Sequence, residues 1–365
     1  MKSRLTTLCY IEKDDQYLML HRVSKKNDIN KDKWIGVGGH FEEGESPEEC
    51  LLREVKEETG LTLADYRFRG IVTFCAEGHP TEYMCLYTAD GFTGTLKECD
   101  EGRLEWVEKC RLKDLNLWDG DFLFLDLLWH EEPFFSLKLG YHLSDKWNYA
   151  ALNGEKMELF DLCREDGTLT GHVKERSMVH RDGDFHRTVH IWIIRKREDG
   201  GIDVLLQKRS KNKDAFPGCY DISSAGHVRT EDDYETSALR ELSEELGIEA
   251  SREELRFIGL HEGYTEAVFW GNPFQDWELS AIYLYEKPID AHHLSLQENE
   301  VEAAVFMDYD RVLSGILDGS IPNCIFPEEF KLIKRALEPG FGAQNVRITE
   351  KRLLGCTPVE KRVNL

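Results

Sequence analysis

The sequence repeats itself, and this repeat limits the available folds more than any other feature. Strand-like runs end at Arg22 and again at Arg209, an offset of 187 residues. The same offset relates three further pairs: Gly39 and Gly226, Arg53 and Arg240, and Gly60 and Gly247. Self-similarity at a constant offset, without insertions, indicates duplication of a whole structural unit. We therefore expect two related domains in this chain of 365 residues, which is too long for one ordinary domain.

Each copy predicts the same order of elements. Two apolar, β-branched runs open each copy and are typical of a hairpin, at residues 6–11 and 17–20 and at residues 188–194 and 202–206. A polar loop and a Gly-containing turn then precede a helix. Ser46 and Pro47 are typical of a helix start, and Gly60 and Gly247 of helix ends. We expect domains at residues 1–153 and 157–340 and a C-terminal extension at residues 341–365.

The composition disfavours several classes of protein. A formal net charge of −23 is unsuited to binding nucleic acid or an anionic membrane. No run of 18 apolar residues predicts a membrane span, and no signal peptide is apparent. The ten cysteines include no CxxC pair, which is typical of reduced thiols. We expect a cytoplasmic protein with a small-molecule substrate and no nucleic-acid or membrane partner. Its oligomeric state stays open.

Three carboxylates share one face of the first predicted helix. Glu54, Glu57 and Glu58 have the spacing i, i+3, i+4, at which like charges repel. A divalent cation such as Mg2+ would remove that repulsion, because it prefers carboxylate oxygens. The alternative is an ordinary solvated acidic face. The core-facing stripe is expected to comprise Leu51, Leu52, Val55 and Leu61.

A longer pattern surrounds these carboxylates: Gly39, five residues, Glu45, seven residues, and then the run from Arg53 to Leu61. It fits the Nudix box at every defined position, so the first copy resembles the Nudix hydrolases. The resemblance implies an α/β fold with two tandem Nudix-type α/β/α sandwich domains that have mixed sheets. It also implies hydrolysis of nucleoside triphosphate- or diphosphate-type substrates.

The resemblance assigns roles to individual residues. Glu54 and Glu58 would hold Mg2+, or Mn2+, beside the Gly38 carbonyl. Glu57 would support them. The remaining expected residues are two that orient the loop and helix, Glu45 and Arg53, and a later glutamate that completes the metal site or acts as base, Glu101.

The second copy has a near-complete box. Asp232 stands where the pattern has Glu, one methylene shorter with the same charge. The corresponding catalytic residues would be Arg240, Glu241, Glu244 and Glu245, with Glu241 and Glu245 binding metal. Glu300 would be the later glutamate. The alternative is a degenerate copy kept for packing or dimerisation.

The first copy further resembles the MutT-like group that hydrolyses oxidised purine nucleoside triphosphates. The lead-in around Trp34 and the segment with Trp118 and Asp121 carry this resemblance. An indole can stack on a purine, and a carboxyl group can bond its edge. Ile35 departs from members that have Asn there, which leaves selectivity for 8-oxo-dGTP open. Expected phosphate contacts are the basic residues Arg22, Lys25, Lys26, Lys208 and Arg209.

The second copy resembles a different branch, the one related to isopentenyl-diphosphate isomerase. The segment from Phe216 to Val228 carries this resemblance. It implies a metal site formed by His180, His186, His227, Asp276 and Glu278. Ala225 replaces the isomerase cysteine, so one proton-transfer group is missing and a hydrolase is favoured. Two alternatives remain: isopentenyl-diphosphate isomerase activity in this half, or a non-catalytic nucleotide-sensing module.

Overall fold

The structure is a computed structural model that describes residues 3–24, 28–142, 146–213, 215–269 and 272–353. The chain divides into two compact units, residues 1–159 and residues 160–365, which we call unit 1 and unit 2. The repeat placed the boundary at residues 153–157. The division lies slightly later because the strands Trp147–Leu152 and Glu155–Lys156 form a hairpin that belongs to the sheet of unit 1.

Unit 1 is built on one mixed sheet. Its strands in the described ranges are β1 (Arg4–Lys13), β2 (Gln16–His21), β3 (Trp34–Ile35), β4 (Thr62–Ala76), β5 (Glu82–Thr93), β6 (Arg103–Glu108), β7 (Phe135–Tyr141), β8 (Trp147–Leu152) and β9 (Glu155–Lys156). Its helices are α1 (Pro47–Thr59) and α2 (Asp119–Trp129). The order is β3-β2-β1-β5-β4-β7-β8-β9, with β6 also beside β2. The pairs β1–β5 and β4–β7 are parallel, whereas β1 and β2 form the predicted antiparallel hairpin.

The two helices cover opposite faces of this sheet. Leu51 of α1 packs with Cys9 and Ile11 of β1 in one buried cluster. Tyr10, between those two strand residues, points to the other face. There its ring lies 6.1 Å from the ring of Phe124 in α2. The predicted α/β/α sandwich is therefore confirmed for unit 1.

Helix α1 begins and ends where its capping residues predict. The Ser46 side chain accepts the backbone N–H of Glu49, whose carboxylate accepts the N–H of Ser46. Gly60 ends the helix in the left-handed conformation, with φ of 79°. The prediction for Leu52 is wrong, because this side chain is 38% exposed. Consecutive helical residues lie about 100° apart around the axis, so Leu51 and Leu52 cannot both face the sheet.

Unit 2 repeats this plan with additions. Its described strands are β10 (Leu159–Cys163), β11 (Leu169–Glu175), β12 (Phe185–Lys196), β13 (Ile202–Arg209), β14 (Tyr220–Asp221), β15 (Ser224–His227), β16 (Leu255–Phe269), β17 (Asn272–Tyr285), β18 (Val301–Asp308) and β19 (Arg347–Leu353). Its helices are α3 (Arg176–Asp182), α4 (Tyr234–Leu246), α5 (Tyr309–Asp318) and α6 (Pro327–Ala336).

The sheet of unit 2 is also mixed and covered on both faces. Its main order is β11-β10-β12-β17-β16-β19, and β13 and β15 also pair with β12. The pairs β12–β17 and β16–β19 are parallel. Val189 and Ile191 pack with Leu242 of α4 on one face. Trp192 faces the other way, with its ring 5.3 Å from that of Phe330 in α6.

The chain after residue 340 contributes to this sheet. Strand β19 pairs in parallel with β16 from Leu260 to Glu266. The predicted C-terminal extension therefore includes a sheet strand, and its residues 354–365 lie outside the described residues. No helix within the described ranges is long and apolar enough to cross a bilayer.

Candidate functional site

The carboxylates of α1 lie against the glycine turn that precedes the helix. A Cβ atom on Gly39 would lie 2.4 Å from the Glu54 carboxylate, so only glycine leaves room for that group. The Glu58 side chain, 8% exposed as a residue, accepts the N–H of Gly38 at 3.2 Å. Glu57 is more exposed. The spacing of the box thus corresponds to a contact between the helix face and the turn.

Arg53 joins the loop to this helix face. Its Nε donates to Glu45 at 2.6 Å, and its Nη2 donates to the carbonyl of His40 at 3.0 Å. The hydrogen bond from Arg53 lowers the pKa of Glu45 to about 2. The same guanidinium lies 2.7 Å from Glu54 and 3.4 Å from Glu57, two contacts that the residue spacing did not predict. Arg53 therefore holds the loop and offsets part of the carboxylate repulsion.

Unit 2 has the same arrangement with a looser loop contact. Arg240 lies 2.6 Å from Glu241 and 3.2 Å from Glu244, and it donates to the carbonyl of His227 at 2.9 Å. Its Nε lies 3.9 Å from Asp232. The missing methylene of Asp232 accounts for this longer separation. The pattern of contacts is retained, but the pair equivalent to Arg53 and Glu45 is weaker.

Two carboxylates of α4, Glu241 and Glu245, are largely buried, whereas Glu244 is exposed. Glu245 accepts the Ser224 hydroxyl at 2.7 Å and the Ala225 N–H at 3.2 Å. Burial first, and then the charge of Glu241, raise the pKa of Glu245 to about 8. Burial also raises the pKa of Glu241. Two acids that both resist ionisation are suited to a cation, whose positive charge would favour their charged forms.

The expected phosphate contacts are already engaged within the protein. Arg22 forms ion pairs with Asp28, at 2.7 Å, and with Glu101. Arg209 forms an ion pair with Asp221 at 2.7 Å. A phosphate would have to compete with these carboxylates. Lys25 and Lys26 lie outside the described residues.

The later glutamates are held by basic residues in both units. Glu101 contacts Arg22, and Glu300 contacts Lys213. Lys213 was not singled out from the sequence. It is largely buried, and its lowered pKa results first from burial, with Arg209 and Glu245 among the charges that act on it. These contacts bring the loop of Glu300 towards the carboxylate helix of unit 2.

The proposed base-recognition residues of unit 1 meet at the start of α2. Trp118 Nε1 donates to Asn30 at 2.9 Å, and the Lys33 ammonium lies 4.5 Å from the indole centroid. Trp118 is half-buried rather than a core aromatic. Asp121 is 4% exposed, and burial raises its pKa to about 7. Trp34 stacks on His21 with ring centroids 4.4 Å apart.

A second group of donors meets in unit 2. His180 Nε2 lies 3.3 Å from His227 Nε2 and 3.6 Å from Asp276 Oδ1. His186 Nε2 also lies 3.6 Å from that oxygen. Donor atoms of His180, His186 and His227 lie within 4.8 Å of one another, and so do those of His186, Asp276 and Glu278. Ligands of a tetrahedral metal with bonds of 2.1 Å lie about 3.4 Å apart, so these separations match a metal shell.

Two further observations fit a metal at this position. His186 Nε2 and Asp276 Oδ1 are buried without a hydrogen-bond partner, which is costly unless something else satisfies them. Burial lowers the pKa of His186 and of His227, which favours the neutral imidazole that binds metal. Phe160 stacks on His227, with centroids 4.5 Å apart, and closes one side.

Comparisons with known proteins identify the family of this chain. The family model described as the NUDIX domain matches residues 2–128 and 184–323. Nudix hydrolase 3 from Arabidopsis thaliana is 42% identical over 156 residues, which cover 42% of this chain but only 19% of that protein. An oxidized purine nucleoside triphosphate hydrolase from Danio rerio is 31% identical, over 38% of this chain and 85% of that protein.

A solved structure is also similar. The MutT protein from Bacillus halodurans is 27% identical, covers 42% of this chain and 99% of its own, and has a TM-score of 0.37. The family model matches more than half of this chain, in two separate stretches that each contain a carboxylate helix. The chain therefore belongs to the Nudix family and is a tandem Nudix hydrolase, an enzyme that acts on diphosphate bonds.

Proposed function

We propose that unit 1 is a Mg2+-dependent diphosphohydrolase of oxidised purine nucleoside triphosphates, an 8-oxo-dGTP diphosphatase-like enzyme that cleanses the nucleotide pool. One observation carries the proposal most: the Glu54 and Glu58 carboxylates lie together at the Gly38–Gly39 turn. The half-buried indole of Trp118 and the buried carboxyl of Asp121 support a nucleotide as the substrate. The name of the Danio rerio relative supports an oxidised purine.

The metal site of unit 1 would comprise Glu54 and Glu58, with Glu57 in support. Two clustered carboxylates and an adjacent backbone turn offer the oxygen donors that Mg2+ or Mn2+ prefers. When bound, the ion would neutralise phosphoryl charge and lower the pKa of a water molecule. Arg53 would keep Glu54 oriented and, through Glu45, would hold the loop closed. Arg22 would release Glu101 when it contacts the substrate. Glu101 would then accept the proton of the attacking water.

Base selection would rest on Trp118 and Asp121. An indole face stacks on a purine, and a carboxyl group with a pKa of about 7 exists in both protonation states near neutrality. The protonated form donates to a purine oxygen, and the ionised form accepts from a purine N–H. Attack of water would split the triphosphate into a monophosphate and pyrophosphate.

Unit 2 would be a second diphosphate hydrolase with a different substrate. The separations of His180 Nε2 from His227 Nε2, 3.3 Å, and from Asp276 Oδ1, 3.6 Å, support a metal there in addition to the helix site of Glu241 and Glu245. Ala225 offers no thiol, which disfavours isomerisation of an isoprenoid diphosphate. The complete box of unit 1, from Gly39 to Leu61, disfavours a purely sensing role for the chain.

Substitutions in the full chain test both sites. Glu54→Gln and Glu58→Gln should each lower release of pyrophosphate from 8-oxo-dGTP by on the order of 100-fold or more. Glu43→Gln, on an exposed carboxylate of the same loop, is the matched control and should keep wild-type turnover. Near wild-type turnover in both Glu54→Gln and Glu58→Gln would disprove the metal-helix mechanism.

For unit 2, the Glu54→Gln chain is screened against a panel of nucleotide and isoprenoid diphosphates. Any hydrolysis that remains should disappear when Glu241→Gln is added. Isomerisation of isopentenyl diphosphate without hydrolysis would reverse the assignment of unit 2.

A further inference from the structure

A second cluster of buried polar groups lies on the α6 face of the sheet in unit 2, outside the carboxylate helix. It comprises His190 and Trp192 of β12, His261 of β16, Glu329 of α6 and Glu350 of β19. Glu329 and His261 are fully buried, and His190 is 6% exposed. Such groups are costly to bury unless each has a partner, so their contacts define what the cluster holds in place.

Glu329 is the centre of this cluster. It accepts Trp192 Nε1 at 2.9 Å and lies 3.0 Å from His190 Nδ1 through both carboxylate oxygens. His261 Nδ1 lies 3.3 Å from Glu329. These contacts fix the plane of the His190 ring and assign its Nδ1 to Glu329.

Strand β19 and helix α6 support the far end of the cluster. Glu350 lies 3.1 Å from His261 Nε2. It also accepts the backbone N–H groups of Glu328 and Glu329, each at 3.1 Å, at the start of α6. The Glu329 carboxylate is therefore held from two sides, and His190 has a rigid neighbour.

The other ring nitrogen of His190 faces the metal group. His190 Nε2 lies 3.9 Å from Glu278 Oε2. Glu278 is two residues from Asp276 on β17, and its oxygen lies within 4.8 Å of donor atoms of His186 and Asp276. His190 thus stands between a fixed carboxylate on one side and a candidate ligand on the other.

We propose that His190 is a positioning residue of the metal site in unit 2: Glu329 holds its imidazole through Nδ1, and Nε2 orients the Glu278 carboxylate towards His186 and Asp276. The inference rests on the metal site proposed above. Groups that orient metal ligands in this way strongly affect metal affinity. A cluster that merely anchors α6 would affect stability and leave metal affinity unchanged.

Two substitutions distinguish the roles of the two ring nitrogens of His190. His190→Asn keeps a donor near the Nδ1 position and loses the group that faces Glu278, whereas His190→Gln keeps a donor near the Nε2 position. The probe is Co2+ titrated into the metal-free full chain, with visible absorption from histidine coordination and calorimetry as readouts. His227→Asn gives the baseline without the site. His293→Asn, the same change at an exposed histidine, is the matched control.

We expect His190→Asn to weaken Co2+ binding roughly 10- to 100-fold. His190→Gln loses the contact with Glu329 but retains the group that faces Glu278, so its affinity should fall by less than about tenfold. Unchanged affinity in His190→Asn, or a loss above tenfold in folded His190→Gln, would overturn the positioning role. If His190→Asn does not fold, the Co2+ affinity of His190→Gln still tests the positioning role.

Two further outcomes separate this inference from its basis. A wild-type chain that shows no histidine-type Co2+ absorption overturns the metal site together with the positioning role. A signal that survives in His227→Asn but disappears in His190→Asn places the ion on His190, His261 and Glu329, and overturns the positioning role.

Discussion

Replacing Asp121 by Asn should remove a pH-dependent loss of stability in unit 1. Burial raises the pKa of Asp121 to about 7 from an ordinary 3.8. Between these values the folded chain keeps a proton that the unfolded chain has lost, so stability falls as pH rises through this range. A difference of about 3 pKa units corresponds to about 4 kcal/mol. Asn is nearly isosteric and has no charge to bury.

The stability difference between Asp121→Asn and wild type should therefore grow with pH. It should be near zero at pH 4 and approach about 4 kcal/mol above pH 8. Urea unfolding at several pH values measures it, and the transition that shifts in the variant reports unit 1. Asp14→Asn, at an exposed turn with φ of 51° that Asn readily adopts, is the control for loss of one surface charge. A difference that does not change with pH would refute the reasoning.

The same substitution tests the role of Asp121 in binding. Asn resembles the protonated carboxyl because it keeps both a donor and an acceptor. The wild-type KM for 8-oxo-dGTP should change through pH 7, where Asp121 titrates. The KM of Asp121→Asn should lack this inflection. An identical inflection in both proteins would show that another group causes it.

Three further predictions concern the two carboxylate helices. Gly39→Ala places a Cβ 2.4 Å from the Glu54 carboxylate, which must then move away, so unit 1 turnover should fall about 100-fold while the chain stays folded. Full activity of this variant would contradict the contact between Gly39 and Glu54. Asp232→Glu should shorten the 3.9 Å separation from Arg240 and stabilise unit 2 by about 0.5–1 kcal/mol, as measured by urea unfolding. An unchanged midpoint of the unfolding transition would argue against this ion pair. Chelation with EDTA should abolish pyrophosphate release, and Mg2+ or Mn2+ should restore it; turnover that persists in EDTA would exclude the proposed cofactor.

Local patterns predicted the elements that depend on neighbours in sequence. The cap at Ser46, the left-handed Gly60 and the pair of Arg53 with Glu45 lie within a few helical turns, where spacing alone brings groups together. The same reasoning failed for Leu52. An apolar residue beside the buried stripe of a helix belongs to that stripe only if the sheet covers a wide enough part of the helix surface. The sequence does not contain that width.

The site contacts that escaped prediction join distant parts of the chain. Asn30 and Lys33 meet Trp118 from 88 and about 85 positions away, and His190 meets Glu329 from 139 positions away. One signal existed for His190: it shares strand parity with His186 and Trp192, so all three face the same side of β12. Sequence could not say which helix covers that side.

Residue spacing along short stretches was sufficient to predict the duplication, the two carboxylate helices and the reaction class. Which charges are engaged depends instead on the tertiary structure. It paired Arg22 and Arg209 with carboxylates, buried Asp121 and Glu245 enough to raise their pKa, and brought donors from α3, β12, β15 and β17 to within 3.6 Å. Burial and proximity between distant segments arise only when the sheet is assembled, and they decide the protonation and ligand geometry on which the chemistry depends.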